Sequence, residues 1–219
     1  MILEKLVPEK PKLRGVMHLV FFVLSFPSGV LIVMHAPSGS IRVTVALYAI
    51  TMSEMLGVSA LLHRRNWSAA TAVTLTRLDH TTIYLFIAGT YLPIIWIVLH
   101  GWVETTMLAV IGTCTLLGIV TEWIPQRPSK TFIIVLFLTL GWIALLALPQ
   151  IIHNLDREGV LLIAGGGVLY TLGAICLARH QPDPWPTVFG YHEVFHTLVV
   201  LALILQYIAI YAVVLPSSD

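Results

Sequence analysis

The sequence predicts an all-α membrane protein, a seven-transmembrane helix bundle with its N-terminus cytoplasmic and its C-terminus extracytoplasmic. Three observations predict it. Of the 219 residues, 58% are hydrophobic and only 11% are charged, whereas a soluble domain carries about 25% charged residues. The apolar residues gather into runs that reach the roughly 20 residues needed to cross a bilayer. The lysines and arginines fall on alternate connections between those runs. A net charge of +1 gives no electrostatic footprint for nucleic acid.

The first span covers about Gly15 to Met34. No small-residue cleavage site follows it, so it reads as a spanning helix and not as a removed signal. Pro27 and Gly29 point to a kink within it. The second span covers Ile41 to His63, and the third runs from near Arg77 to Leu99 with Pro93 toward its far end. The fourth covers Thr105 to Trp123 and the fifth Thr131 to Pro149. The sixth, Gly159 to Leu177, contains Gly165-Gly166-Gly167, a surface that lets another helix approach closely. The seventh covers about Thr187 to Leu215. Short connections leave no inserted soluble domain. The chain divides into a cytoplasmic tail (1–14), the bundle (15–215) and an extracytoplasmic tail (216–219). Cys114 and Cys176 lie inside apolar runs, where core packing is the expected role and a disulfide is not.

Charge orients the bundle. Lys5, Lys10, Lys12 and Arg14 precede the first span; Arg64, Arg65 and Arg77 follow the second; Arg127 and Lys130 follow the fourth; Arg179 follows the sixth. Only Arg42 and Arg157 fall on the other side. The positive-inside rule places the N-terminus in the cytoplasm, and the alternation requires an odd number of spans.

Polar residues inside spans are costly and mark function. Phe189-Gly190-Tyr191-His192-Glu193-Val194-Phe195-His196 opens the last span. His192 and His196, four apart, share a helix face. The second span ends at the same membrane side with Ser59 and His63, also four apart, and the third begins there with Asp79. The topology therefore gathers three histidines, an aspartate and a serine in the cytoplasmic half. Three imidazoles plus a water form an open, catalytic zinc arrangement. The plainer accounts are an interfacial His63, an Asp79 paired with Arg77 or Arg64, and a Ser59 bonded to its own helix.

Other polar residues are weaker candidates. His18 begins the first span on the same side; a place behind the site's histidines is one reading, and a place at the interface is the plainer one. His80 neighbours Asp79 but points about 100° away. His35, His100 and His153 lie on the opposite side, and His180 is in the last cytoplasmic connection. Glu54 sits near mid-span, on the opposite face of its helix from His63. A carboxyl there is a functional candidate by default, and a hydrogen bond to a neighbouring helix is the plainer reading.

Three stretches carry a resemblance: Ser59-x-x-x-His63; Arg77-Leu78-Asp79-His80 with Ala88-Gly89-Thr90-Tyr91-Leu92-Pro93; and Phe189 to His196. Together they resemble the hemolysin III family, the bacterial branch of the progestin and adipoQ receptor superfamily. The resemblance implies a multi-pass protein of the bacterial cytoplasmic (inner) membrane. It also implies zinc held by His63, His192 and His196, with a water between the metal and Asp79. The family is related to alkaline ceramidases, which suggests a zinc hydrolase of lipid amide or ester bonds in membrane lipid homeostasis. Asp79 and Ser59 are then the expected catalytic residues and membrane lipids the expected partners. The alternative is a non-enzymatic, membrane-sensing protein with structural zinc.

Two rivals are weaker. His192-Glu193-Val194-Phe195-His196 fits the H-E-x-x-H pattern of zinc proteases, with glutamate as base. No aspartate follows at suitable depth in a span, since Asp219 ends the chain and Asp183 precedes the motif. Glu193 is then expected as a headgroup-level carboxylate at a helix N-terminus. A pore-forming lysin lacks support, because no amphipathic, secretable segment is present.

Overall fold

The computed structural model describes residues 10–126 and 129–218. Lys5, Arg127 and Asp219, used above, lie outside them. Among the described residues, seven helices are long and apolar enough to cross a membrane. They are α1 (Val16–His35), α2 (Ser40–Arg64), α3 (Ala69–Val98), α4 (Trp102–Trp123), α5 (Thr131–Asn154), α6 (Arg157–Arg179) and α7 (Tyr191–Val214). Sequential helices pack as neighbours along α1–α2–α3–α4, and α7 lies along α6 and also meets α1. The last helix therefore returns to the first.

The bundle is apolar inside and out. Tyr48, Met52 and Leu56 of α2, Tyr84 and Ile95 of α3 and Ile210 of α7 form its centre. Val23, Phe26 and Val30 of α1, Leu116 of α4 and Leu146 of α5 are exposed on the outer faces. Such a surface has no driving force to bury itself when the surroundings are hydrocarbon, so helix contact depends on close packing. Gly166 on α6 supplies one such approach. A Cβ there would stand 2.5 Å from Nε2 of Gln206 on α7.

Two boundaries depart from the sequence reading. Helix α3 begins at Ala69 and not near Arg77, because the Ser68 side chain accepts the Thr71 amide and caps it. Asp79 therefore lies well inside the helix and not at its mouth. Helix α5 extends past Pro149 to Asn154 by changing its winding. A 3₁₀ stretch, Ile143–Ala147, precedes Pro149. Proline has no amide to donate, which frees backbone groups upstream. The Tyr91 hydroxyl from α3 enters this break, donating to the Gly141 carbonyl at 2.7 Å and accepting from the Ala144 amide at 3.2 Å. Backbone groups in hydrocarbon need such internal partners.

Among the described residues, Lys10, Lys12, Arg14, Arg64, Arg65, Arg77 and Arg179 fall at one end of the bundle, hereafter the basic end. Cys114 and Cys176 are both free thiols.

Candidate metal centre

His63 lies in the last turn of α2, and His192 and His196 lie in the first two turns of α7. The α1–α2–α7 packing places these ends side by side. Nε2 of His63 and Nε2 of His192 are 3.2 Å apart. The ring centroids of His63 stand 4.5 Å from His192 and 5.0 Å from His196. One ligand nitrogen from each ring lies within 4.8 Å of the others. His196 is fully buried, and its Nδ1 has no hydrogen-bond partner. Three converging imidazoles with unspent nitrogens repel one another when protonated. Neutral, they present lone pairs to a common point, which is a donor set for a metal ion.

The neighbouring polar pair sits deeper in the bundle. Ser59 is one turn before His63 on α2, so the two share a face. Across from it, Asp79 of α3 is 9% exposed. The Ser59 side chain, itself buried, stands next to the Asp79 carboxyl. Asp79 Oδ1 is buried without a partner, and the described residues offer Asp79 no ion pair. Its proposed partner Arg77 is not engaged with it; Arg77 Nε is itself unpartnered. A buried carboxyl oxygen left free costs desolvation energy, so it points to a water or ligand as its mate.

Comparisons with known proteins establish the family of the chain. The family profile described as Haemolysin-III related matches residues 7–207. The chain belongs to the haemolysin III family. It is 29% identical to "Hemolysin-3" of Bacillus cereus over 209 residues, covering 94% of this chain and 92% of that protein. It is 26% identical to the "Hemolysin-3 homolog" of Bacillus subtilis (strain 168) over 189 residues, 85% of each chain. With its seven apolar spans, this haemolysin III protein is a multi-pass membrane protein.

His18 corrects the sequence reading. It is not interfacial: it is 3% exposed, and its ring stacks on His196 with centroids 3.8 Å apart and planes 5° from parallel. Neither of its nitrogens has a partner. The cause is the segment that leads into α1. Residues 10–15 run as a strap beneath the site. The Lys12 and Leu13 amides donate to the Thr187 and Val188 carbonyls, both at 3.1 Å. Arg64 donates to the Lys12 and Arg14 carbonyls. The strap turns into α1 at Gly15, whose φ is +73°. A Cβ on Gly15 would stand 2.8 Å from the His63 Cβ.

Gly15→Ala of the haemolysin III protein is therefore expected to lower stability. A non-glycine residue at positive φ costs about 1–3 kcal/mol, and here the new methyl also presses on His63. Thermal unfolding with and without zinc checks it, the loss being larger with zinc because His63 moves. Equal melting of both proteins in zinc would remove Gly15 from the site.

Glu193 is the second correction. It does sit in the first turn of α7, as expected, but it is buried inside the protein, 1% exposed, and not open to the surroundings. One carboxylate oxygen pairs with Arg14 Nε of the strap. The other accepts the Gly190 amide at 2.8 Å, closing the N-terminus of α7. Each Glu193 oxygen holds a structural partner, Arg14 or the Gly190 amide, and no acidic residue follows His196 on α7. The protease arrangement is thus not assembled.

The sequence reading also missed Glu122. This carboxylate on α4 is fully buried, and its Oε1 lies 2.9 Å from Nδ1 of His80. A carboxylate in the last turn of an apolar span was the signal that could have found it. His80 does point away from Asp79, toward α4. His35 stacks on Tyr211 at the opposite end. Glu54 faces outward, as its phase on α2 requires, and no hydrogen bond joins it to a neighbouring helix among the described residues.

Proposed function

We propose that this haemolysin III protein is a zinc-dependent hydrolase of lipid amide or ester bonds in the bacterial inner membrane, with its basic end in the cytoplasm. The observation that carries the reading is the pairing of three converging imidazoles with a buried, half-satisfied Asp79 carboxyl reached from the same α2 face. Zinc held by His63, His192 and His196 would bring a bound water's pKa to about 7 and polarise a carbonyl.

The chain's own residues supply the proton handling. Asp79 Oδ1, free of protein partners, would take a proton from the attacking water and return it to the leaving amine or alcohol. Ser59 would hold the Asp79 carboxyl in place and offer a donor to the developing oxyanion. The apolar helices would exclude bulk water, and the exposed apolar faces would admit substrate from the bilayer.

One observation favours a second reading, a structural metal in a non-enzymatic protein. His63 joins α2 to α7, and the strap joins both to α1, so a metal there would pin three helices. Lipid profiles of a deletion strain carrying wild type, Asp79→Ala or His63→Ala separate the readings. Hydrolysis predicts the same accumulated lipid in both variants. A structural pin predicts a normal profile for Asp79→Ala.

A further inference from the structure

The first helix brings a fourth imidazole to the metal centre. His18, Ser25, Gly29 and Ile32 form the buried stripe of α1, and their spacing keeps them on one face. The stripe faces into the bundle, and α1 is tied to α7 at two levels. At the basic end the Lys12 and Leu13 amides of the strap bond to the Thr187 and Val188 carbonyls, just ahead of α7. Farther in, the Tyr207 hydroxyl of α7 donates to the Ser28 carbonyl of α1 at 2.8 Å. With both levels pinned, α1 cannot slide along α7, and the contact of His18 with His196 keeps its register. His196 itself lacks the usual anchor. A ligand histidine is generally held by a hydrogen bond to the ring nitrogen that does not face the metal. No hydrogen bond from a described residue reaches either nitrogen of the His196 ring, and the outer torsion of a histidine side chain is broad. Other rings surround it instead. His63 and His192 both stand at 62° to it, and the ring laid parallel to it is that of His18, 5° off at 3.8 Å.

We propose that His18 is a positioning residue of the metal centre: its ring, laid face to face on His196, holds the plane of that ligand and so aims its nitrogen at the point where those of His63 and His192 converge. The inference rests on the reading of these three histidines as metal ligands. Geometry separates the role from ligation. An imidazole binds a metal through a lone pair in its own plane, zinc at about 2.0–2.1 Å. The lone pairs of two parallel rings in van der Waals contact, roughly 3.5 Å apart, run side by side. They cannot meet at one ion without leaving both planes. The rings of His63, His192 and His196, at 62–66° to one another, can. Geometry also separates it from hydrogen bonding. Both His18 nitrogens are buried without a partner, and a donor in one ring plane is not directed at a ring lying over it. What remains is the contact of faces. A metal draws electron density from the imidazole that binds it. The face of a neighbouring neutral ring is the negative side of its quadrupole, and it complements the depleted ring. His18 therefore acts through its flat face and not through its nitrogens.

Two substitutions part the face from the nitrogens, and neither readout needs turnover. His18→Phe keeps a flat ring without nitrogens. His18→Gln keeps a hydrogen-bonding group of similar size without a ring. Zinc affinity of the full-length protein in lipid nanodiscs is measured by competition with a chelator. The cobalt-loaded protein gives visible ligand-field bands that report coordination geometry, and melting of the metal-free protein is followed alongside. His18→Gln is expected to weaken zinc binding about 10- to 100-fold, as the loss of a residue that orients a metal ligand does, and to shift the cobalt bands. His18→Phe is expected to stay within about threefold of wild type and to keep the wild-type bands. His18→Gln with wild-type affinity and bands overturns the proposal, whatever happens to its melting, and that result needs no comparison with His18→Phe. A folded His18→Phe as weak as His18→Gln overturns it too, because the nitrogens then carry the role. Wild type that binds neither zinc nor cobalt removes the metal reading itself, a failure visible before any substitution is made.

Discussion

His196→Ala is expected to abolish metal binding, with zinc content per protein falling to background. Removing partners that merely orient a metal ligand costs 10–100-fold in affinity. Losing one of three ligands directly costs more, and His196 is the most buried of them. The thermodynamic readout is independent of activity. At zinc about 100-fold above its Kd, wild type gains about 2.7 kcal/mol of stability, and His196→Ala gains none. Asp79→Ala provides the contrast. It is expected to keep zinc yet lose about 10²- to 10⁴-fold in turnover, the usual worth of a positioned acid–base group. Metal analysis of both variants, with hydrolysis of a lipid amide, decides it. Zinc retained by His196→Ala would remove this histidine from the ligand set. Undiminished turnover by Asp79→Ala would sink the catalytic role.

The second large effect concerns Arg14. Its replacement by leucine leaves Glu193 buried and unpaired, which costs about 3–5 kcal/mol when one partner of a buried pair is removed. The double variant Arg14→Leu/Glu193→Leu is expected to recover much of that, since replacing both partners by apolar groups is often near neutral. A double-mutant cycle on thermal unfolding measures the coupling. Arg14→Leu melting with wild type would show that the pair has no weight. Zinc affinity should follow the same order as stability, because Glu193 lies between His192 and His196 in sequence and fixes the start of their helix.

Much of this architecture was legible before any coordinates. The spans follow from hydropathy, because a run of some 20 apolar residues has few alternatives. The three histidines follow from topology, since alternating spans bring the ends of α2 and α7 to one side. What escaped was set by residues outside the spans. His18 and Glu193 look interfacial from their positions at helix starts. They are buried because residues 10–15 fold back beneath them, and neither hydropathy nor helical spacing reports a strap held by backbone hydrogen bonds. The start of α3 was missed for a local reason. Ser68 caps a segment whose alanines and threonines are too weakly apolar to extend a hydropathy window. Glu122 escaped because hydropathy and helical spacing report one helix at a time, whereas its contact with His80 is set by how α3 packs on α4.

The reach of the strap has a consequence for how the protein is made. Arg14 and Glu193 are separated by 179 positions, and His63 and His192 by 129. Residues 10–15 leave the ribosome ahead of all seven helices, yet their partners are in α7, the seventh of them. Non-local contacts of this kind form late, because loop closure must precede them. Neither the ion pair nor the histidine cluster can exist in a chain still lacking α7. The histidine cluster therefore assembles only after α7 has been made, and a product terminated before α7 would lack it.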